Sequence, residues 1–464
     1  KDTPPQSIFA VYENLKADEP KANFSIGIVD DVTNRSLEEK VAPDTAPAGT
    51  ISCKFWGLGG DGTVGANKNS IKIIGDHTDK FIQAYFQYDS KKTGGVTISH
   101  LRFGDKAIKS SYYVTKADFV ACHNPSYIVK GYKIVNDVKP GGIFLLNCQW
   151  TPEEVEKHLP AEAKKYIAEN DVKFYIVNAI DKAREIGMGK RTNTILQSAF
   201  FALANIMPID QAVEYMKAAA KKSYLKKGEA VVEMNYKAID AGVDAIVKID
   251  VPASWKDAKA EEKVSEVKSN RPEMVKFVNE ILKPVGMMQG DSLPVSVFAD
   301  MADGTFPQGS SAFEKRGVAV DVPAWIPENC IQCNQCAYVC PHATIRPFAM
   351  SKEEADAAPE STKKVQMKGK GCEEYTFTMS ISPLDCMGCG LCVKVCPAKE
   401  KALTMKPIAE VECEAPNWEF AMTVPSKQKD MDIAKNIKNS QFATPLLEFS
   451  GACAGCGETP YAKL

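Results

Sequence analysis

The sequence predicts a multidomain protein that combines an α/β class domain with a smaller α+β domain. Three observations predict this architecture. The length of 464 residues suits two to four domains. Apolar strands alternate with helical runs over residues 50–225, and a cysteine-rich region follows that stretch. The alternation favours a parallel sheet covered by helices, because parallel strands need crossover connections.

The composition excludes several classes of protein. Hydrophobic residues make up 44% of the chain and charged residues 25%, which is enough apolar material for a core and too little charge for wholesale disorder. The net charge of −2 argues against a nucleic-acid binder, since such proteins neutralise phosphates with basic residues. The sequence has no run of 18 apolar residues, so we expect no membrane-spanning helix.

The elements follow one another in a regular order. A helical run over Ile8 to Leu15 precedes an apolar strand over Phe24 to Val29 and a Pro- and Ala-rich linker that reaches Gly49. Further strands are predicted at residues 50–56, 81–89, 95–104, 118–123, 142–147 and 173–179. Helices are predicted at residues 153–159 and 210–222, and a charged connecting helix at 256–283.

These elements suggest five segments. We expect the end of a preceding α/β domain with its linker (1–49), an α/β domain (50–255), a connector with a small domain (256–320), a cysteine-rich domain (321–440) and the start of another domain (441–464). The Gly- and Cys-rich loop near residue 456 lies close to the end of the sequence. Since a metal loop normally has structure on both sides, we expect the chain to be an internal piece of a longer polypeptide. A flexible tail is the alternative.

The strongest signal is a cysteine motif that occurs twice. The pattern C-x2-C-x2-C-x3-C-P begins at Cys330 and again at Cys386, and it is typical of proteins with two [4Fe–4S] clusters. Three closely spaced thiolates wrap one cluster, while the fourth ligates the other. The predicted ligands of one cluster are Cys330, Cys333, Cys336 and Cys396, and those of the other are Cys386, Cys389, Cys392 and Cys340.

Two alternatives to the cluster assignment remain, a zinc site and disulfides. A third cysteine at the same spacing does not suit tetrahedral zinc, and disulfides need an oxidising compartment. The segment is therefore predicted to be a ferredoxin-like two-[4Fe–4S] domain that carries electrons one at a time. A further pair, Cys453 and Cys456, is either half of a metal site or two unligated thiols.

A glycine-rich loop follows the strand at residues 50–56. Gly57, Gly59 and Gly62 form G-x-G-x-x-G, which allows close approach of a pyrophosphate but is also found in merely structural turns. Nicotinamide binding is one interpretation. Lysines that follow the next strand favour instead an adenosine ligand with an extra phosphate, such as coenzyme A. Further candidate contacts are Asn67, Lys68, Ser90 and Lys91, with Lys92 beside them.

A second anion site is predicted where a loop enters a helix at residues 187–194. Thr192, Asn193 and Thr194 are candidate N-caps, and Lys190 and Arg191 lie beside that helix terminus. We expect Arg191 and Asn193 to contact coenzyme A. An ordinary helix cap with exposed charges is the alternative.

Together these segments resemble the middle of the pyruvate:ferredoxin (flavodoxin) oxidoreductase family. The resemblance covers essentially the whole chain, and it rests on residues 57–80, 90–105, 187–201, 306–319, both cysteine motifs and 449–461. It includes the stretch Glu314, Lys315 and Arg316, which matches a motif of the family. The resemblance implies oxidative decarboxylation of pyruvate at thiamine diphosphate with Mg2+, transfer of the acetyl group to coenzyme A, and three [4Fe–4S] clusters that lead to ferredoxin or flavodoxin.

The resemblance also implies roles for the remaining candidates. Cys453 and Cys456 match two ligands of the third cluster, whose other ligands and thiamine site lie outside this chain, and Glu458 matches a position near the thiamine. It implies a homodimer, and we assign no catalytic residue to this chain. Because exposed low-potential clusters are sensitive to oxygen, we expect a cytoplasmic location in an anaerobic cell. Two alternative functions remain: a stand-alone Fe–S electron carrier with a nucleotide-binding module, and a nicotinamide-linked Fe–S reductase.

Overall fold

A computed structural model describes residues 3–41, 44–89, 94–259, 267, 269–369 and 371–463. The chain divides into two compact units. Unit 1 comprises residues 1–90 and 95–307, and unit 2 comprises residues 91–94 and 308–464.

A mixed sheet forms the centre of unit 1. Its described strands are β1 (Ile51–Leu58), β2 (Phe81–Tyr88), β3 (Val96–Gly104), β4 (Ala117–Cys122), β5 (Val138–Asn147), β6 (Lys173–Val177) and β7 (Ile246–Lys248). They lie in the order β2-β3-β1-β4-β5-β6-β7, in which β1, β4, β5 and β6 are parallel neighbours. Most residues of the four parallel strands are buried or half-buried, as expected for a sheet with helices on its faces.

Helices surround this sheet. The α-helices described in unit 1 are α1 (Pro5–Lys16), α2 (Thr63–His77), α3 (Ser126–Val129), α4 (Pro152–His158), α5 (Ala161–Glu169), α6 (Ala179–Ile186), α7 (Asn193–Ala204), α8 (Ile209–Tyr224), α9 (Glu229–Asp244), α10 (Pro272–Phe277) and α11 (Lys283–Gly286). The largest core cluster joins β1, β3 and β4 to α2, α7 and α9, with Phe55, Phe119 and Phe200 packed edge to face within it.

The expectation of an all-parallel sheet needs a correction, because β2, β3 and β7 run antiparallel to their neighbours. The reason for β2 and β3 is the length of their connection. Only residues 89–95 separate the two strands, whereas a parallel pair needs a crossover of a dozen or more residues. The α/β class itself is confirmed.

Two further predictions of elements are wrong. Residues 24–29 form no strand but only isolated bridges from Ser25 to Ser36 and from Val29 to Pro294. Gly27 has a φ of 71°, which interrupts an extended chain. The charged stretch 256–283 is no single helix where it is described, because α10 begins at Pro272 and a π-helical turn (Val278–Leu282) follows.

Unit 2 is built from short elements around the cysteine loops. Its strands are β8 (Asp321–Trp325), β9 (Ile345–Met350), β10 (Val365–Gln366), β11 (Thr376–Ile381) and β12 (Leu403–Pro407), in two antiparallel sheets ordered β10-β11-β9 and β12-β8. Its α-helices are α12 (Gln335–Tyr338), α13 (Lys352–Ala357), α14 (Leu391–Val395), α15 (Ile408–Val411), α16 (Ala415–Ala421), α17 (Ile437–Ser440) and α18 (Thr459–Lys463). Within the described ranges, no helix has the length and apolar character that a membrane span requires.

Two helical glycines give a test of packing in unit 1. A Cβ at Gly242 would lie 2.2 Å from the Ile195 carbonyl oxygen, because α9 crosses closely over α7, whereas a Cβ at Gly65 in α2 would meet nothing within 4 Å. We expect Gly242→Ala to destabilise unit 1 by about 1–3 kcal/mol through overpacking. Gly65→Ala should stabilise it by about 0.5–1 kcal/mol through helix propensity. Hydrogen exchange of peptides from α7 and α9 measures both changes, and equal effects would contradict this packing.

Candidate functional site

Four thiols of unit 2 line one cavity. Cys330, Cys333 and Cys336 come from the first motif, and Cys396 comes from the second motif. The other walls of this cavity include Trp325, Ile331, Met379 and Leu403. The structure thus brings together the four residues that the sequence assigns to one cluster. A mostly apolar lining limits the access of water to such a group.

The other four cysteines form a second group. Cys340, from the first motif, is close enough to Cys386 and Cys392 for its charge to affect the pKa of both thiols, and Cys389 is also a neighbour of both. The crosswise arrangement is therefore present in both groups. Contact between α12 and α14, which carry one motif each, places the two groups side by side.

The two cysteine loops share one backbone geometry. The amide of Gln332 donates to the Cys330 sulfur at 3.4 Å, and the amide of Gly388 donates to the Cys386 sulfur at the same distance. Residues two and four positions after the first cysteine have positive φ in both loops, with 58° and 59° at Gln332 and Asn334. The sequence repeat is thus also a structural repeat, in which backbone N–H groups point at the sulfurs.

Burial makes three of these thiols poor anions unless a cation binds them. Burial raises the pKa of Cys336, Cys386 and Cys392, in the last case to about 12. A bound metal centre deprotonates its thiol ligands and offsets this desolvation. Among the described residues, no three Cys, His, Asp or Glu side chains converge as a single metal ion requires. Four sulfurs spread around a cavity fit a larger group, such as an iron–sulfur cluster.

The terminal cysteine pair lies against the second motif. Gly455 has a φ of 71°, and its Cβ position is 3.7 Å from the Cβ of Cys389. Hydrogen bonds from Thr459 to the Cys456 sulfur lower the pKa of this thiol, and a further bond comes from the Glu458 backbone. These donors favour a thiolate at Cys456, which suits a metal ligand.

The glycine-rich loop of unit 1 meets the start of α7. Gly57 lies so close to Thr63 that an added Cβ would be 2.7 Å from the threonine Cβ. Gly62 has a φ of 89°, and its Cβ position is 3.1 Å from Cγ of Asn193. The N-termini of α2 and α7 are therefore adjacent, and both helix dipoles favour an anion nearby.

A buried polar chain supports this loop. Asp61 accepts hydrogen bonds from the Leu58 amide and from the Thr63 hydroxyl, at 2.8 and 2.9 Å. Because the threonine hydroxyl donates to Asp61, it accepts from Nδ1–H of His123 at 2.7 Å. Burial lowers the pKa of His123 to about 4, so the ring is neutral at pH 7. This series of hydrogen bonds fixes the glycine-rich loop at the carboxyl ends of β1 and β4.

The other predicted contacts differ in their placement. Asn67 is buried in α2, and its amide nitrogen has no hydrogen-bond partner within the described part of the chain. Lys68 is exposed, with its ammonium 5.3 Å from the Phe86 ring centroid, and Arg191 is exposed beside α7. Glu458 is exposed before α18. Ser90, Lys91 and the neighbouring Lys92 lie outside the described residues.

Sequence reasoning missed two side chains beside the cysteine loops. Lys315 donates to Asp385, the residue before Cys386, and His342 contacts the terminal loop through the Ala452 carbonyl oxygen. The only sequence signal for His342 is its position two residues after Cys340. Lys315 was noted only as part of a motif, because its partners are distant in sequence.

Comparisons with known proteins cover the whole chain. Residues 52–245 match the family described as pyruvate ferredoxin/flavodoxin oxidoreductase, residues 260–319 match EKR, a domain of unknown function, and residues 329–400 match a 4Fe–4S dicluster domain. A pyruvate:ferredoxin oxidoreductase of Moorella thermoacetica is 52% identical over 465 residues. A pyruvate-flavodoxin oxidoreductase of Enterobacter agglomerans is 51% identical.

Both relatives are longer than this chain. The alignments include 100% of the chain and 39% of each relative. Among solved structures, a pyruvate oxidoreductase subunit of Thermotoga maritima covers 44% of this chain and 99% of its own, with 21% identity and a TM-score of 0.36. The similarity in sequence extends through the glycine-rich loop, both cysteine motifs and the terminal pair, so the chain belongs to the pyruvate:ferredoxin/flavodoxin oxidoreductase family and is a portion of such a protein.

Proposed function

We propose that this chain is the coenzyme A-binding and electron-transfer portion of an enzyme that oxidatively decarboxylates pyruvate. The products are acetyl-CoA and CO2, and the electrons pass through three [4Fe–4S] clusters to ferredoxin or flavodoxin. The observation that carries the proposal is the crosswise grouping of eight cysteines in unit 2. A two-cluster domain of this kind transfers single electrons.

The residues of unit 2 have defined tasks in this proposal. Cys330, Cys333, Cys336 and Cys396 hold one cluster, and the second motif with Cys340 holds the other. Cys453 and Cys456 supply two ligands of a third cluster, for which the hydrogen bonds from Thr459 favour the thiolate. Backbone amides that point at the sulfurs tune the cluster potentials.

Unit 1 binds coenzyme A in the same proposal. Gly57, Gly59 and Gly62 let its diphosphate approach the N-termini of α2 and α7, and Asn193 lies beside them. The buried amide of Asn67 offers two further donors. Lys68, Ser90, Lys91 and Arg191 are proposed to contact the phosphates of the ligand.

Parts of the family reaction depend on groups that other segments hold. Thiamine diphosphate with Mg2+ supplies the decarboxylation chemistry when bound, and Glu458 is the residue of this chain that we place near it. We further propose a homodimer, as the resemblance to the family implies. We also propose a cytoplasmic location, because low-potential iron–sulfur chemistry is sensitive to oxygen. The identity with pyruvate enzymes favours pyruvate among 2-oxoacids.

Anaerobic purification and electron paramagnetic resonance (EPR) test the proposal. Reduction with dithionite should give signals of interacting [4Fe–4S] clusters, and pyruvate with coenzyme A should reduce the clusters of the full-length enzyme. NADH or NADPH should leave them oxidised. Bleaching by a nicotinamide would favour the reductase alternative, and reduction by pyruvate that is indifferent to coenzyme A would remove the role given to unit 1.

A binding prediction concerns Arg191 at the start of α7. We expect Arg191→Met to raise the dissociation constant for coenzyme A by about 10- to 100-fold, since one charge-assisted hydrogen bond contributes about 1.5–3 kcal/mol. Isothermal titration measures the change. Lys165→Met, which removes an exposed charge from α5, serves as the control. Equal affinity of both variants would exclude Arg191 from the site.

A further inference from the structure

The ammonium of Lys315 lies between two cysteine loops of unit 2. It donates to a carboxylate oxygen of Asp385 at 2.5 Å, and Asp385 is the residue directly before Cys386. The Asp385 side chain is only 7% exposed, so its charge needs a nearby cation. The same ammonium is 5.3 Å from the ring centroid of Phe449, four residues before Cys453. One side chain therefore contacts both loops.

The backbone of Lys315 is held in an uncommon conformation. Its φ is 43°, in the left-handed region that residues with a side chain rarely adopt. Contacts on both sides maintain it. Arg316 pairs with Glu314 at 3.2 Å and donates to the Gly94 carbonyl oxygen at 3.1 Å, and the Gly317 amide donates to Leu384 at 2.7 Å. Strain that neighbours over-determine is a pointer to function.

The terminal loop is also fixed from its other side. The His342 ring donates through Nε2–H to the Ala452 carbonyl oxygen at 2.9 Å, and the Phe449 amide donates to the His342 carbonyl oxygen at 3.0 Å. His342 lies two residues after Cys340, which belongs to the same cysteine group as Cys386. The terminal loop is therefore attached at two points, through Lys315 beside Cys386 and through His342 near Cys340, and both cysteines are proposed ligands of one cluster.

We propose that Lys315 is a positioning residue for electron transfer between the cluster of the Cys386 group and the site of Cys453 and Cys456. The positive charge of Lys315 compensates Asp385 beside the cluster of the Cys386 group. Its contact with Phe449 holds the Cys386 loop and the terminal loop together. The inference rests on the proposed function, since it presumes both clusters. It would assign a task to part of a segment that is described as a domain of unknown function.

Charge variants of the holoenzyme test the inference by redox titration. Lys315→Met leaves the Asp385 carboxylate uncompensated, so the reduction potential of the neighbouring cluster should shift to a more negative value. Asp385→Asn leaves the cation instead, and the shift should be positive. The double variant Lys315→Met with Asp385→Asn should return the potential close to that of the wild type.

Spin–spin coupling between the two clusters tests the positional part. We expect both Lys315→Met and the double variant to change the coupling seen by EPR, because both lose the contact with Phe449. Lys315→Arg should retain the potential. The control is Lys427→Met, which breaks a similarly buried ion pair with Glu354 that belongs to neither loop.

The outcomes separate this inference from the proposed function. If the wild type shows no [4Fe–4S] signals, the proposed function fails. If the clusters assemble but Lys315→Met matches Lys427→Met in potential and coupling, the inference on Lys315 is overturned while the proposed function stands. Should Lys315→Met not assemble, Asp385→Asn decides, and a potential that stays unchanged or becomes more negative contradicts the inference.

Discussion

Replacing Cys396 by alanine is expected to remove the same [4Fe–4S] cluster as replacing Cys330, although the two residues belong to different sequence motifs. The reason is that both thiols line one cavity, together with Cys333 and Cys336. A cluster that is left with three thiolates has lost one strong ligand and one of the negative charges that balance its iron. EPR of the reduced variants should show the loss of one and the same [4Fe–4S] signal.

The reciprocal pair gives the matching half of this experiment. Cys340→Ala and Cys386→Ala should both remove the other signal, and each variant should lose iron and sulfide equivalent to one cluster. Cys413→Ala is the control, because this exposed cysteine lies outside both motifs. If Cys396→Ala instead resembled Cys386→Ala, each motif would bind its own cluster, and the crosswise assignment would be wrong.

The cysteine loops could be predicted from sequence because their geometry is local. The positions of the ligands are set by spacings of two and three residues, and the residues with positive φ recur at the same offsets in both motifs. The glycine-rich loop was likewise placed correctly at the end of β1, since a glycine at residue 57 permits its close approach to Thr63. Within each loop the partners are at most six residues apart, and only the fourth ligand of each proposed cluster comes from the other motif.

Contacts between distant segments could not be predicted in this way. Lys315 and Asp385 are 70 residues apart, and His342 and Ala452 are 110 residues apart. Neither pair follows from a periodic pattern or a motif. The antiparallel direction of β7 could not be predicted either, because it depends on how the chain returns from α9 to the sheet beside β6. Such features are set by the packing of whole elements.

The pH dependence of unit 1 is the second large effect that we expect. Burial lowers the pKa of His100 to about 3, with Lys54 and Arg102 acting in the same direction, and burial lowers the pKa of His123 to about 4. In the unfolded chain both rings titrate near the ordinary value of 6.5. Below that pH the unfolded state therefore binds more protons than the folded state, and stability decreases.

Each histidine should cost about 2 kcal/mol of stability between pH 7 and pH 5, since one pKa unit corresponds to about 1.4 kcal/mol. Both rings stay neutral in the folded state over this range. Burial raises the pKa of Asp61 and Asp137, so their protonation acts in the opposite direction and offsets part of the loss. The pH dependence of the total stability, to which all titrating groups contribute, is therefore less informative than the contribution of each histidine.

Variants isolate these contributions. His100→Gln and His123→Gln should each flatten the dependence of stability on pH by about 2 kcal/mol between pH 7 and pH 5. His77→Gln, at an exposed position of α2, serves as the control. Hydrogen exchange of peptides from β3 and β4, corrected for the intrinsic effect of pH, reports on unit 1 alone. This separates the protonation of histidine from any loss of clusters in acid, because the proposed cluster ligands all lie in unit 2. If all three variants show the same slope, the pKa values of His100 and His123 do not differ between the folded and unfolded states, and the prediction is wrong.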